Sequence, residues 1–161
     1  MREFSKVSPL FWRNKRFSAL TSTDAKLCML YFVTCEHQNS AGCYRLPDAY
    51  AAADLSWPMQ HYLEVRQQLA DAGLILFDDE SKELFVTDWF ETNPAMNDKH
   101  SQGCQRLISN IESDNVREAA EDAFLQAEEN RQSKPSKAAG SVPNFNPSSR
   151  LASTGYLNRR Q

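Results

Sequence analysis

Four polar side chains on one predicted helix have the donors and acceptors needed to contact the edges of nucleic-acid bases. Gln60, Glu64 and Gln67 fall on one face at helical spacing, and His61 lies beside them. A glutamine can form two hydrogen bonds with adenine, and a glutamate can accept one from cytosine. The same face would serve equally as an ordinary solvated surface, so both interpretations stand at this point.

A short basic and aromatic segment near the N-terminus has the chemistry for holding phosphates. Arg13, Lys15 and Arg16 follow Trp12 directly, and cationic side chains beside a base-reading helix commonly bind the nucleic-acid backbone. Arg66 is the only basic residue on the polar helix, and we expect it to join this phosphate-binding group. The alternative interpretation of the N-terminal segment is a solvated, charged loop.

The chain has no comparable pattern for catalysis or for metal binding. His100 and Cys104 are four residues apart, which puts two ligands on one helix face, but no further ligands accompany them. The five glycines form no phosphate-binding loop, and no residue stands out as a nucleophile with its base. We therefore expect a protein that is not an enzyme and that holds no metal or cofactor.

A small, mainly helical domain with a β-hairpin must position these side chains. Hydrophobic periodicity and turn residues predict helix, strand, helix, helix and hairpin in that order. This is the order of a winged helix-turn-helix, a fold that places one helix in a DNA groove or against a protein partner. The predicted ranges are 22–38, 43–46, 48–53, 58–72, 74–77 and 83–87.

Single residues predict where several of these helices begin and end. Ser8, Ser22 and Ser56 each have the side chain and the position of a helix N-cap, with Pro58 in the first turn after Ser56. Gly73 lies just after a predicted helix end, where the backbone commonly adopts the left-handed conformation that glycine tolerates. We expect these positions to fix the helix boundaries.

Composition places the chain among ordinary globular proteins. Its 161 residues, 41% of them hydrophobic, suffice for one real core. No apolar run approaches the ~20 residues that cross a bilayer, and the first residues lack a secretory signal. The four cysteines have no paired spacing, which indicates a reducing, cytoplasmic environment.

The net charge of −3 hides an uneven distribution along the chain. Residues 1–20 carry a charge of +4 and residues 131–161 carry +6, which leaves −13 for residues 21–130. An acidic centre repels phosphates on average, so any affinity for nucleic acid is expected to depend on the basic ends. The hairpin turn, residues 78–82 (DDESK), is acidic too. It either points away from DNA or meets a protein, and we favour the protein.

The chain is predicted to divide into three parts. Residues 1–92 form the winged helix-turn-helix domain, and residues 93–132 form an extension of two helices with an apolar stripe. That stripe would pack on the domain or on another copy of the chain. Residues 133–161 are rich in Ser, Pro, Asn and basic residues and are expected to be a disordered basic tail, which binds phosphate, docks on a partner or simply aids solubility.

Four segments together resemble a known family. The segments 20–26 (LTSTDAK), 39–46 (NSAGCYRL), 71–75 (DAGLI) and 86–94 (VTDWFETNP) are similar to the N-terminal winged helix of phage replication initiators. That group includes replisome organisers and DnaD-like primosomal proteins. The resemblance covers about residues 5–100, and it implies binding at an origin or operator, with the C-terminal part recruiting a replicative helicase or its loader.

Residues and resemblance together predict a DNA-binding initiator or accessory factor of phage-type replication. The polar helix face would enter the major groove while the basic group holds phosphates, and the extension would support a homodimer. A transcriptional regulator of the same fold is the first alternative. The second alternative is a protein-binding adaptor with little affinity for DNA.

Overall fold

The computed structural model describes residues 5–133, which form a mainly helical structure with one small antiparallel sheet. The predicted tail, apart from Ser133, lies outside the described residues. A 3₁₀ helix, Pro9–Arg13, comes first. The helices are α1 Lys15–Ala19, α2 Thr23–Thr34, α3 Asp48–Asp54, α4 Met59–Asp71, α5 Trp89–Thr92, α6 Asp98–Ser109 and α7 Asp114–Ser133, and the strands are β1 Cys43–Arg45, β2 Ile75–Asp78 and β3 Glu83–Val86.

The sheet contains the predicted hairpin and one further strand. β2 and β3 pair antiparallel, with Ile75 opposite Val86 and Asp78 opposite Glu83. The short strand β1 pairs with the other edge of β3, so the order across the sheet is β1-β3-β2. The hairpin is therefore confirmed, and its second strand lies at the centre of the sheet.

Helices cover both faces of this sheet. Val86 shares a small cavity with Met29 and Val33 of α2, whereas Glu83 faces the start of α7. Neighbouring side chains of a strand point to opposite faces, and all four residues of β3 are buried. The strand periodicity predicted for residues 83–87 is thus real, but neither face is left to solvent.

The carboxylate of Glu83 ties the helical extension to the sheet. It accepts hydrogen bonds from the backbone N–H groups of Glu112 and Ser113, the latter at 2.8 Å. A carboxylate at a helix N-terminus satisfies unpaired N–H groups and suits the positive end of the helix dipole. The buried side chains of α6 and α7 join the core of the sheet: Cys104, Ile108, Val116, Ala120 and Phe124. Of the two predicted alternatives for the extension, packing on the domain is the one observed.

The predicted N-caps Ser8 and Ser22 and the helix end at Gly73 are confirmed, whereas the predicted N-cap Ser56 is wrong. Ser8 and Ser22 accept hydrogen bonds from backbone N–H groups as N-caps, and Gly73 follows α4 with φ +66°. Ser56 does not cap α4, because Pro58 precedes that helix and Ser56 has φ +56°. Its N–H bonds the Ala53 carbonyl, so Ser56 closes α3 in the left-handed position where Gly73 closes α4.

Two predicted boundaries differ from the structure. The helix predicted to reach residue 38 ends at Thr34, because Cys35 has extended backbone. Residues 89–92, which lie outside the predicted helices and strands, form the single turn of α5, which buries Phe90. Among the helices of residues 5–133, none has the length and apolar character needed to cross a membrane.

Gly42 is required by the close approach of a tryptophan. It has φ +69°, and a Cβ atom there would lie 2.2 Å from the Trp89 ring. The Trp89 indole is buried, and its Nε1 donates to the Ser40 carbonyl at 2.9 Å. A side chain at residue 42 would therefore displace the residue that closes the core beside β1.

We expect Gly42→Ala to lower the free energy of unfolding by about 3 kcal/mol, since it combines backbone strain with overpacking. Gly103→Ala is the matched control. Gly103 lies within α6 with no atom near its absent Cβ, so alanine should add about 0.5–1 kcal/mol through helix propensity. Urea unfolding of both variants measures the difference, and equal stabilities would contradict the proposed role of Gly42.

Two buried tyrosines differ in whether their hydroxyl groups are hydrogen-bonded, which allows a second test. The Tyr62 hydroxyl is buried with no hydrogen-bond partner among the described residues, whereas the Tyr44 hydroxyl donates to the Phe32 carbonyl. An unpaired buried polar group is costly, and a paired one is not. Tyr62→Phe should leave stability unchanged or raise it by about 1 kcal/mol, and Tyr44→Phe should lower it by about 1 kcal/mol. Thermal unfolding of both variants tests the assignment, which a loss of stability in Tyr62→Phe would refute.

Candidate nucleic-acid interface

The structure brings three of the predicted base-reading residues together on the exposed face of α4. Gln60, Glu64 and Gln67 are exposed on that face. The Gln60 amide donates to Glu64 Oε1 at 2.9 Å, and the Gln67 amide donates to Asp71 Oδ1 at 2.8 Å. Both bonds are exposed to solvent, so a base edge could replace the carboxylate at little cost.

His61 lies at the margin of this face and turns toward α2. Its Nε2 is 2.9 Å from Asp24 Oδ2, and its ring lies 4.9 Å from the Trp57 ring. Asp24 belongs to the first turn of α2, so His61 links α4 to that helix. Of the four residues predicted to contact bases, His61 is therefore the one whose side chain already joins two helices.

Arg66 is not at the surface, which contradicts its predicted role in phosphate binding. The residue is 6% exposed. One guanidinium nitrogen donates to Asp48 Oδ1, a second donates to Asp79 Oδ1 at 2.8 Å, and the group lies 3.7 Å from the centre of the Phe77 ring. Lys82 completes the cluster, with its Nζ 2.9 Å from Asp48 Oδ2. These contacts use the charge of Arg66 inside the domain.

The sequence contained a signal for this placement. Arg66 follows Tyr62 by four residues and precedes Leu69 by three, so it lies on the apolar face of the helix. The acids that hold it are far away in sequence, one at the start of α3 and one in the hairpin turn. Helical spacing could therefore have indicated that Arg66 is buried, but it could not have identified its partners.

The same cluster reduces the negative charge that the hairpin turn presents. The hydrogen bond from Arg66 holds the pKa of Asp79 below its ordinary value. The hydrogen bond to Asp48 raises the pKa of Lys82. Asp79 and Glu80 are both exposed, but Asp79 is paired with Arg66 and Lys82.

The N-terminal basic segment divides into an anchored part and an exposed part. Arg16 donates to the Gly73 carbonyl and to Asp88 Oδ1, and Asn14 donates to Asp88 Oδ2 at 2.7 Å. Arg16 thus fixes the segment against the end of α4 and the end of the hairpin, and a phosphate would have to compete with Asp88 for it. Arg13 and Lys15 are exposed, so they are the better placed of the predicted phosphate contacts.

The histidine and cysteine four residues apart have separate structural contacts. His100 Nδ1 accepts from the Met96 N–H, and Cys104 is buried and donates to the Ser40 carbonyl. Within residues 5–133, no three His, Cys, Asp or Glu side chains are gathered as a metal site would require.

Comparison with protein-family models, curated proteins and solved structures gives no match for this chain. The resemblance to phage replication initiators therefore stays a prediction from residues 20–94. The α4 face and the N-terminal basic segment remain the two surfaces with the chemistry for binding a nucleic acid.

We expect Arg66→Ala to lower the free energy of unfolding by about 3 kcal/mol, because Asp48 and Asp79 lose the guanidinium that bonds them both and only Lys82 remains beside Asp48. Arg106→Ala, at an exposed position of α6, is the control and should stay within about 0.5 kcal/mol of the parent. Urea unfolding measures both variants. Unchanged stability of Arg66→Ala, together with weaker and less salt-dependent DNA binding of the folded variant, would restore the phosphate-binding role.

Proposed function

We propose that this chain is a DNA-binding winged-helix protein that serves as an initiator or accessory factor in phage-type replication. The observation that carries the proposal is the placement of α4. It follows α3 after a four-residue turn, as the second helix of a helix-turn-helix does, and it presents a polar face beside an antiparallel hairpin.

In this proposal the Gln60, Glu64 and Gln67 face enters the major groove, while Arg13 and Lys15 hold the flanking phosphates. The protein would carry no catalytic activity and would work in the reducing cytoplasm, where its buried free cysteines stay reduced. A replicative helicase or its loader is the proposed partner. The apolar stripe of α6 and α7 is largely covered within the chain, with Val116, Ala120 and Phe124 buried, so a homodimer would rely mainly on other surfaces.

A protein-binding adaptor is the second candidate, and the exposed acids favour it. Glu80 lies at the tip of the hairpin, and Glu64 and Asp71 lie on the α4 face. A hairpin that contacts DNA phosphates normally carries Arg or Lys. A basic protein partner would fit these acids better than a phosphate backbone would.

The first experiment is fluorescence-anisotropy binding of the full chain to labelled mixed-sequence and phage-origin duplexes at two salt concentrations. Gln60→Ala combined with Gln67→Ala should cost about 1–3 kcal/mol per base contact on a preferred sequence. Arg13→Ala combined with Lys15→Ala should weaken binding to every duplex and reduce the salt slope by about two.

Gln102→Ala combined with Gln105→Ala is the matched control, because both glutamines are exposed on α6. The control should bind like the parent. Two results would exclude base reading by α4 and favour the adaptor. One is no duplex binding at low salt, and the other is an affinity for duplex that is the same in the parent, the Gln60/Gln67 variant and the Gln102/Gln105 control. A pull-down with basic proteins would then identify the partner.

A further inference from the structure

A large aromatic side chain is held at the surface next to the exposed cations. Trp12 is 59% exposed, and Leu10 is 62% exposed in the same 3₁₀ helix. Arg13 and Lys15, which follow Trp12 in the sequence, are exposed as well. We call these four residues the Trp12 patch. A tryptophan left in water is informative because burying it would contribute more than burying almost any other side chain.

The Trp12 ring packs against neighbouring aromatic rings and does not extend freely into solvent. Its ring makes edge contacts with Phe11 at 6.0 Å and with Phe17 at 5.4 Å between ring centres. Phe17 is part of the buried core, and Asn14 anchors the segment to Asp88. The indole therefore has a defined orientation before any ligand arrives, which lowers the entropic cost of binding to it.

The surroundings of this ring are positive. Residues 5–20 contain four basic residues and no acid. Asp88 reaches the segment, and Asn14 and Arg16 already donate to its two oxygens. Arg13 and Lys15 thus give the patch a local positive charge, in contrast to the acidic centre of the chain.

We propose that the Trp12 patch binds single-stranded nucleic acid, with one unpaired base stacked on the indole and the neighbouring phosphates held by Arg13 and Lys15. Stacking on an exposed aromatic ring beside cations is how proteins grip unpaired strands. In a duplex, both faces of an internal base are covered by its neighbours, so the indole has nothing to stack on. This inference rests on the proposed nucleic-acid role and adds a stacking contact for an unpaired base beside the same two cations.

The test uses the full chain and four labelled probes of equal length: oligo-dT, oligo-rU, an abasic deoxyribose-phosphate strand and a blunt duplex. Trp12→Ala should weaken binding to both base-bearing single strands by about 5- to 150-fold, the range expected for one stacked base. It should leave the abasic strand and the duplex unchanged. Trp12→Phe should retain part of the affinity, because a smaller ring still stacks.

Tyr50→Ala is the matched control, because Tyr50 is 58% exposed on α3 and is equally able to offer an aromatic ring. It should bind every probe like the parent. Circular dichroism and thermal unfolding establish that all variants are folded. Oligo-dT should also quench part of the tryptophan emission of the parent, and this part should disappear in Trp12→Phe.

Several outcomes would overturn the inference. These are an unchanged affinity of Trp12→Ala for both single strands, an equal loss on the abasic strand, and an equal loss in Tyr50→Ala. Duplex binding that depends on Gln60 and Gln67, together with single-strand binding that Trp12→Ala leaves unchanged, would reject this inference and keep the proposed function. Binding of single strands through Trp12, without any effect of the two glutamines, would do the reverse. Binding to none of the four probes at low salt would reject both.

Discussion

The buried guanidinium of Arg66 is the constraint on which the arrangement of α3, α4 and the hairpin depends. A charge can leave water only where opposite charges and hydrogen bonds compensate its lost hydration. Here Asp48 at the start of α3 and Asp79 in the hairpin turn meet the same side chain, and the Phe77 ring covers its face. The angle at which the hairpin leaves the helices is thus set by an ion cluster as well as by apolar packing.

Two further polar contacts extend this frame to the rest of the described chain. Arg16 links the N-terminal segment to Gly73 and Asp88, which mark the end of α4 and the end of the hairpin. Glu83 performs the same task for the extension by accepting hydrogen bonds at the start of α7. Each is a charged side chain that bonds backbone atoms of a distant element, so each fixes both distance and direction.

The consequence for function is a separation of charge across the surface. The α4 face offers amides and carboxylates that already satisfy one another, whereas the N-terminal segment offers exposed cations beside an exposed indole. The exposed cations of the N-terminal segment attract a ligand that carries phosphates. The α4 face adds binding energy only if the base edges of that ligand replace hydrogen bonds that exist in the free protein. In the proposed role, the two surfaces would meet different parts of a nucleic acid.

The sequence by itself determined the order of the elements, because hydrophobic periodicity, the N-caps Ser8 and Ser22 and the C-terminal Gly73 are local signals that hold whatever lies nearby. It also placed Gln60, Glu64 and Gln67 on one exposed face. Tertiary structure alone decided which acids bond Arg66, that Glu83 is buried and bonded, and that the extension packs on the sheet. Helical spacing places Arg66 on the apolar face of α4, but only partners brought from far along the chain can compensate its charge there.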